Sequence, residues 1–380
     1  MKKTVVLALS GGVDSACSFY LLLKKNFHVI PVFMRNWDSY LNNEKNLNKD
    51  KYFLETEVCN YEKDYHDALQ IAKFFNTELK RVDFVDKYWK KVFLPFLSKY
   101  QRGMVPNPDI YCNFLIKFDE FIKYANSIGA DYISFGHYSK LKNKKDGIHM
   151  YIPKDKKKDQ TYFLSLLKSW QLQKIIFPLE NTTKKKVYQI IKKIGLNFLL
   201  EKKTSTGICF IGKRKFHNFL ANYLPMKSGK IIDIESKEQI GTHLGAYYYT
   251  IGQNKMLNLS GMNSKYYVFE KDVSNNILYV AKKNSIYHLS YKCEIINYNF
   301  FVPKNLLKYH GKWIKARFRY QQKFCKVKYF LDNKKLFVWF KEPLSLITEG
   351  QFAVFYHKKE CLGGGEIEKC YKIKKINGQL

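Results

Sequence analysis

A chain of 380 residues is too long for one average domain, and its 46% hydrophobic and 17% aromatic residues supply two or three packed cores. That composition excludes a disordered protein. The formal net charge of +33 favours a polyanionic partner, because lysine and arginine release counterions when they bind phosphates. Lysine far outnumbers arginine, however, so a biased base composition of the gene explains the charge about equally well.

The termini and cysteines indicate the compartment. Met1 is followed by only a short apolar run, and no stretch approaches the length of a membrane span. We therefore expect a cytoplasmic protein without a membrane partner. The eight cysteines form no Cys-x-x-Cys pair, which argues against a zinc ribbon or a thioredoxin-type site, and most should be buried thiols.

The first half alternates apolar, strand-like runs with helical patterns. This alternation predicts βαβ units and an α/β fold, with a doubly wound parallel sheet covered by helices on both faces. The predicted strands are 5–9, 29–33, 79–82 and 131–135, and the predicted helices are 15–25, 65–75, 184–194 and 215–223.

Beyond residue 225 the chain changes to short alternating runs with turn residues. Runs at 229–234 and 246–251 predict a small β-rich middle domain. Runs at 313–320, 324–331, 336–340 and 352–356 predict a C-terminal β-barrel. The expected domains are therefore 1–215, 216–285 and 286–380.

Residues 10–15, Ser-Gly-Gly-Val-Asp-Ser, lie between the first strand and the first helix. The glycines allow close approach of an anion, the serines supply hydroxyl donors, and the helix directs its N-terminal amides at a phosphate. The alternative is a tight turn with Asp14 as a helix cap. The Gly-Lys-[Ser/Thr] ending of a Walker A loop is missing. The segment resembles the PP-loop of ATP pyrophosphatases, which adenylate a carbonyl oxygen and release pyrophosphate.

Further motifs follow in a fixed order along nearly the whole chain. They are Phe-Met-Arg-Asn-Trp at 33–37, Pro-Asn-Pro-Asp at 106–109 leading to Cys112, Gly-His-Tyr at 136–138, Lys-Asp-Gln-Thr-Tyr-Phe at 158–163, Ser-Thr-Gly-Ile-Cys-Phe-Ile-Gly at 205–212 and Cys-Leu-Gly-Gly-Gly at 361–365. Together they resemble the tRNA-specific 2-thiouridylase family. This resemblance implies ATP-dependent thiolation of the wobble uridine in tRNAs for Lys, Glu and Gln.

The resemblance also implies the roles of two cysteines. Once AMP is attached to the uridine C2 oxygen, a sulfur nucleophile must attack that carbon, and a persulfide needs a second thiol to release its outer sulfur. By resemblance, Cys209 carries the persulfide, Cys112 is its partner and ends in a disulfide with it, and Asp109 is an acid or base. An ordinary thiol is only about 3% thiolate at neutral pH, so Lys202 and Lys203 are expected to supply positive charge.

The family match further implies two sets of binding residues. Arg319-Tyr320 is an alternative to Arg317-Phe318, because tyrosine is usual where Phe318 stands. The ATP site would contain Ala8, Leu9, Ser10, Gly11, Gly12, Val13, Asp14, Ser15, Met34 and Gly136. The tRNA would contact Asn107, Pro108, Asp109, His137, Lys158, Asp159, Gln160, Arg317, Phe318 and Gln351.

The expected cofactors are ATP and Mg²⁺. An iron-sulfur cluster on Cys112, Cys209 and an oxygen ligand such as Asp109 is left open. Besides tRNA, the expected partner is a sulfur donor, either a cysteine desulfurase or a relay carrier protein. Two other functions remain as alternatives: a PP-loop ligase or amidotransferase that acts on a small molecule, and a non-catalytic basic tRNA-binding protein.

Overall fold

The computed structural model describes residues 2–38, 60–202, 216–259 and 264–373. Among them, no helix is both long and apolar enough to cross a lipid bilayer. The α-helices are α1 (Val13–Lys24), α2 (Asn60–Phe74), α3 (Val85–Tyr88), α4 (Leu94–Gln101), α5 (Pro108–Tyr111), α6 (Phe121–Ser127), α7 (Ser169–Leu172), α8 (Lys184–Lys193), α9 (Phe216–Leu220) and α10 (Lys304–Lys308). The strands are β1 (Thr4–Ala8), β2 (His28–Arg35), β3 (Lys80–Asp83), β4 (Tyr132–Ser134), β5 (Lys140–Lys144), β6 (Gly147–Tyr151), β7 (Ile175–Ile176), β8 (Gly229–Asp233), β9 (Gln239–His243), β10 (Tyr266–Asp272), β11 (Ile277–Lys282), β12 (Leu289–Phe300), β13 (Ile314–Arg317), β14 (Cys325–Asp332), β15 (Lys335–Ser345), β16 (Phe352–His357) and β17 (Glu360–Lys372).

A five-stranded parallel sheet in the order β3-β2-β1-β4-β7 forms the centre of the amino-terminal part. Side chains of β1 alternate between two cores: Val6 and Ala8 join one apolar cluster, while Val5 and Leu7 join the other. Helix α6 packs in the first cluster, and α1, α2 and α8 pack in the second. The predicted α/β fold with helices on both faces is confirmed.

The direction of the strands determines where the site lies. Because β1, β2 and β4 are parallel neighbours, their carboxyl ends meet at one edge of the sheet. The phosphate loop follows β1, Met34 lies at the end of β2, and the Gly-His-Tyr motif at 136–138 follows β4. In open α/β sheets this edge is the usual place for a ligand.

The carboxyl-terminal part is a closed barrel, as predicted. Its strand order is β12-β15-β14-β13-β16-β17, and β17 pairs back onto β12. The glycine run at 363–365 allows this closure: a Cβ on Gly363 (φ 130°) would lie 2.0 Å from the Asn299 carbonyl oxygen, and one on Gly364 would lie 2.6 Å from that of Ala353. The motif therefore has a packing role.

A hairpin from the amino-terminal half extends the barrel sheet. Strands β5 and β6 pair with each other, and β6 pairs with the start of β17, where Tyr151 lies opposite Glu360 and Met150 opposite Cys361. Sequence analysis did not predict this hairpin, because β5 is the polar, lysine-rich segment Lys-Leu-Lys-Asn-Lys. The two halves of the molecule therefore share one sheet.

The middle part contains a four-stranded sheet in the order β10-β11-β8-β9. The predicted strand at 246–251 is wrong, because Ala246–Tyr248 is a 3₁₀ turn. It follows Gly245, whose φ of 137° turns the chain. The tyrosines point in different directions: the Tyr248 hydroxyl donates to the Leu224 carbonyl, and that of Tyr249 donates to the Met256 carbonyl at 3.2 Å.

Candidate active site

The loop after β1 has the geometry of an anion-binding turn. Gly11 has a φ of 69°, and a Cβ there would lie 2.3 Å from the Asp64 carbonyl oxygen of α2, so glycine is required. Gly12 is the N-cap of α1 and, having no side chain, leaves the first amides of the helix without a side-chain cap. The Ser15 hydroxyl donates to the Gly12 carbonyl at 2.9 Å and lies 3.2 Å from the Ser10 hydroxyl. The first backbone amides of α1 and the hydroxyls of Ser10 and Ser15 are therefore directed at one candidate anion site.

Asp14 has two partners from distant parts of the chain. The Tyr138 hydroxyl donates to Asp14 Oδ1 at 2.7 Å, and Lys184 Nζ donates to Asp14 Oδ2 at 2.7 Å. Burial and the Asp14 carboxylate raise the pKa of Tyr138, so its hydroxyl remains a donor. The interpretation of Asp14 as a helix cap is therefore wrong. Sequence analysis missed Lys184, although Tyr138 belongs to one of the motifs.

Two further contacts hold the loop in place. A Cβ on Gly136 would lie 3.0 Å from the Ser15 amide nitrogen, so β4 leads the chain directly against the start of α1. Lys202 Nζ donates to the Gly11 carbonyl at 3.1 Å, to Asp64 at 2.7 Å and to Asp67 at 2.6 Å. Burial lowers the pKa of Lys202, but these two carboxylates raise it by more.

The predicted catalytic residues Asp109 and Cys112 lie in one continuous helical segment. The Asn107 side chain caps α5, and Pro108 occupies its first position. Asp109 and Cys112 are three positions apart and therefore lie on the same face of the helical turn. The helix continues as the π-helical segment Cys112–Glu120, a geometry that is frequent at functional sites. The Cys112 side chain is only 3% exposed.

Electrostatics connect this segment with the residue that follows Gly136. Burial raises the pKa of Asp109, and the positive charge of Lys117 lowers it by less. Burial and the same Lys117 lower the pKa of His137 to about 3, so this imidazole is neutral at pH 7. The His137 ring centroid lies 5.5 Å from that of Phe118. Asp109, His137 and Lys117 therefore form one neighbourhood beside the phosphate loop.

The structure thus brings the predicted ATP-binding residues to one sheet edge and places Asp109 and Cys112 on one helix. Ala8 ends β1, Leu9 and the residues at 10–15 lead into the first turn of α1, Met34 lies at the end of β2, and Gly136 follows β4. Cys209 and Lys203 lie outside the described residues. Lys202, which was expected to activate a thiol, bonds instead to the loop and to α2.

The barrel holds the segment that leads into α5. The Val105 amide donates to the Glu349 carbonyl at 2.9 Å, and the Val105 carbonyl accepts from Gln351 Nε2 at 2.8 Å. A Cβ on Gly350 would lie 3.0 Å from the Val105 carbonyl carbon. Gln351, predicted to contact tRNA, thus bonds to the backbone four residues before Asp109.

A second contact of the barrel reaches α5 itself. Glu366 of β17 is 4% exposed and accepts hydrogen bonds from Lys99 Nζ and, at 2.5 Å, from the Tyr111 hydroxyl. Lys99 Nζ also donates to the Tyr111 hydroxyl at 3.1 Å. We call Lys99, Tyr111 and Glu366 the barrel clamp. Sequence analysis did not find it, because its members are far apart in the chain.

Three of the predicted tRNA contacts also make contacts within the protein. Arg317 Nη1 donates to Asp159 Oδ2 at 2.8 Å, and the two side chains are 14% and 3% exposed. The Phe318 ring is 1% exposed in the barrel core, where it packs 5.1 Å from Phe340. In this conformation the Asp159 and Phe318 side chains are not surfaces for RNA, because a buried ion pair and an apolar core occupy them.

Two further predicted tRNA contacts, Lys158 and Gln160, lie in the segment at 158–163. Gln160 Oε1 accepts from the Tyr138 amide at 2.8 Å, which joins this motif to the Asp14 network. Lys158 is partly exposed in the 3₁₀ turn Lys156–Lys158. Arg319, the alternative to Arg317, is partly buried and donates to the Leu346 carbonyl at 2.7 Å. Across the described ranges, no group of three or more His, Cys, Asp or Glu residues is arranged to hold a metal ion.

Comparison with protein families assigns all three parts of the chain. The family described as "tRNA methyl transferase HUP domain" matches residues 3–213, "tRNA methyl transferase PRC-barrel domain" matches 217–282, and "Aminomethyltransferase beta-barrel domain" matches 290–367. Among solved structures, a 4-thiouridine synthetase in complex with RNA and ATP covers 56% of this chain and 46% of its own at 17% identity and a TM-score of 0.34, a likeness too remote to bear on function.

Curated relatives match over nearly their whole length. The tRNA-specific 2-thiouridylase MnmA of Mycoplasmopsis synoviae is 47% identical over 97% of this chain and 96% of its own. That of Mycoplasma mycoides is 46% identical over 98% and 100%, and that of Ureaplasma urealyticum is 44% identical over 99% and 98%. These matches are full-length, so they decide between the methyltransferase wording of the domain descriptions and the thiouridylase name. The chain belongs to the tRNA-specific 2-thiouridylase family.

Proposed function

We propose that this chain, a tRNA sulfurtransferase by family, uses ATP to activate the C2 oxygen of the wobble uridine in tRNAs for Lys, Glu and Gln and replaces it with sulfur. One observation carries the proposal: the phosphate loop and the helix with Asp109 and Cys112 meet at one sheet edge. Gly136 packs against the loop, and the ring of the next residue, His137, packs against Phe118 of the same helical segment.

The phosphate loop fits ATP. The uncapped amides at the start of α1, with the Ser10 and Ser15 hydroxyls, would hold its phosphates, and Met34 and Gly136 would border the nucleotide. When bound, ATP with Mg²⁺ supplies the adenylyl group that turns the uridine oxygen into a leaving group. Lys184 and Tyr138 fix the Asp14 carboxylate beside this place.

Asp109 and Cys112 would act on the uridine. Burial raises the pKa of Asp109, which suits a carboxyl that acts as an acid or base at the target uracil. The Cys112 thiolate would attack the inner sulfur of a Cys209 persulfide and form a disulfide with Cys209. The outer sulfur would then attack C2 and expel AMP, after which an external thiol would reduce the disulfide.

The three units 1–215, 216–285 and 286–380 would share the tRNA, with contacts from Asn107, Pro108, His137, Lys158 and Gln160. Sulfur would come from a cysteine desulfurase or a relay carrier protein, and the reaction would take place in the cytoplasm. Support comes from family membership and from the net charge of +33, because phosphate contacts by lysine strengthen RNA binding.

The products of ATP cleavage test the proposal. Purified protein with ATP, Mg²⁺ and unmodified glutamate tRNA should release pyrophosphate and AMP, and omission of tRNA should abolish the release. Asp14→Asn should weaken ATP use because it removes the charge that pairs with Lys184. Release driven by a small molecule without tRNA would contradict the proposal in favour of a ligase. Salt-sensitive tRNA binding without any release would contradict it in favour of a non-catalytic binding protein.

A further inference from the structure

The outer face of the barrel has a row of alternating aromatic and lysine side chains, Tyr371, Lys292, Trp339, Lys328 and Trp313, which we call the aromatic stripe. Lys292 of β12 lies opposite Tyr371 of β17 on one side and opposite Trp339 of β15 on the other. Lys328 of β14 lies opposite Trp339. Trp313 directly precedes β13, the next strand. The stripe therefore crosses the strands from β17 to β13.

Side-chain contacts link the members on each side of the row, and strand pairing places Lys328 beside Trp339. Lys292 Nζ lies 4.1 Å from the Tyr371 ring centroid and 5.0 Å from that of Trp339, and Lys328 Nζ lies 5.2 Å from that of Trp313. Trp313 is 49% exposed and Trp339 is 39% exposed. Five columns at strand spacing extend over about 19 Å, which is enough for several nucleotides.

The stripe lies on the outside because the neighbouring positions on its strands point inward. Cys293, Val327 and Val338, which adjoin the stripe residues on β12, β14 and β15, are all 0% exposed in the barrel core. Cation-π contacts and cross-strand pairing explain why each lysine lies between two rings. These contacts do not explain why two large indole rings remain exposed to water, since exposure of apolar surface is unfavourable.

We propose that the aromatic stripe binds unpaired nucleotides of the tRNA substrate, separately from the reacting uridine. Successive bases stack on exposed aromatic rings whatever their identity, and interspersed lysines neutralise the phosphates. The net charge of +33 favours RNA over a basic or neutral protein as occupant. This inference rests on the proposed function, because it takes tRNA as the substrate.

Binding measurements on single variants test the stripe. Trp313→Ala and Trp339→Ala should each weaken tRNA binding about tenfold and leave its salt dependence unchanged, because stacking releases no counterions. Lys292→Ala and Lys328→Ala should each reduce the slope of log K against log salt by about 0.7. A single-stranded RNA hexamer should compete with tRNA and quench tryptophan fluorescence, whereas a duplex of the same length should do neither.

Trp170→Ala is the matched control, because Trp170 is 48% exposed on α7, away from the stripe. Thiolation by the wild-type protein is measured in the same preparations, so failure of the proposed function is seen independently. Wild-type tRNA affinity in both stripe tryptophan variants, or an equal loss in Trp170→Ala, would overturn the inference. Unchanged tRNA affinity with weakened binding of a polyglutamate peptide would assign the stripe to an acidic protein and overturn it too.

Discussion

Asp109 combines a cost to folding with the proton exchange proposed for it. Its carboxyl has a raised pKa because it is buried, and Lys117 offsets only part of this effect. The folded protein therefore holds the Asp109 proton to a higher pH than the unfolded chain does. Stability contributed by this group is fully present below pH 3.8 and is lost as the pH rises from 3.8 through the raised pKa.

Replacement of Asp109 separates the two effects. Asp109→Asn should lower the single-turnover rate of thiolation by about 10²–10⁴-fold, because the amide cannot exchange a proton. Its melting temperature at pH 7 should equal or exceed that of the wild type, because the buried charge is gone. Calorimetry and the thiolation assay check this. A lower melting temperature with an unchanged rate would mean that Asp109 is only a structural residue.

Lys117 should control the acid side of the pH profile. If Asp109 works as a base, the rate falls as the pH drops through its pKa, so removal of the nearby cation should shift this fall to higher pH. We expect the shift in Lys117→Gln but not in Lys123→Gln, because Lys123 pairs with Asp119 and Glu120 instead. Coincident rate-pH profiles for Lys117→Gln and the wild type would argue against Asp109 as the base.

Local motifs were sufficient to predict some site residues but not others. Asp109, Cys112 and Gly136 are recognisable from neighbours in sequence. Lys184 and Glu366 are not, since their partners Asp14 and Tyr111 are 170 and 255 positions away. Pairing at such distances is set by tertiary packing, which a single sequence does not contain.

Regular secondary-structure elements agree best with the apolar patterns of the sequence. Strand β1 is predicted from its apolar run because both its faces are buried. The hairpin β5–β6 has no such run, and its position is set by pairing with β17 at the far end of the chain. The π-helical segment Cys112–Glu120 likewise lacks a sequence pattern that distinguishes it from an α-helix.

The segment at 158–163 combines a buried contact with a partly exposed one, and variants distinguish them. Asp159→Ala leaves Arg317 without its carboxylate partner and should destabilise the protein by about 3–5 kcal/mol. Lys158→Ala should weaken tRNA binding, because the variant loses at most one phosphate contact. It should leave the melting temperature unchanged, because Lys158 is partly exposed. Thermal melting and tRNA binding of both variants check this. Weaker tRNA binding by Asp159→Ala at full stability would restore Asp159 as an RNA contact.

At the scale of the whole molecule, the barrel is built into the catalytic part. The hairpin β5–β6 extends its sheet, and the barrel clamp and Gln351 hold the chain on either side of Asp109. The position of Cys112 therefore depends on β17. RNA bound to the barrel, as proposed above, would in this way affect the orientation of Cys112, the proposed nucleophile.

The barrel clamp should affect the rate more than binding. Glu366→Gln and Tyr111→Phe should each lower kcat about tenfold with little change in KM for tRNA, and should change the alkylation rate of Cys112 measured by peptide mapping. Asp233→Asn is the matched control, because Asp233 of β8 is a buried carboxylate that also accepts from a tyrosine hydroxyl, that of Tyr266, at 3.1 Å. Equal effects in all three variants, or wild-type kcat in both clamp variants, would reject this role.

Single-turnover thiolation of unmodified glutamate tRNA tests the central claim most directly. The assay contains ATP, Mg²⁺ and a persulfide donor, a cysteine desulfurase with free cysteine, and thiolated tRNA is retarded on a mercury-containing gel. The account predicts a retarded band that requires ATP, disappears in Cys112→Ser and Cys209→Ser, and persists in Cys325→Ser, a barrel cysteine of β14. A band of wild-type intensity without ATP or in Cys112→Ser would contradict it.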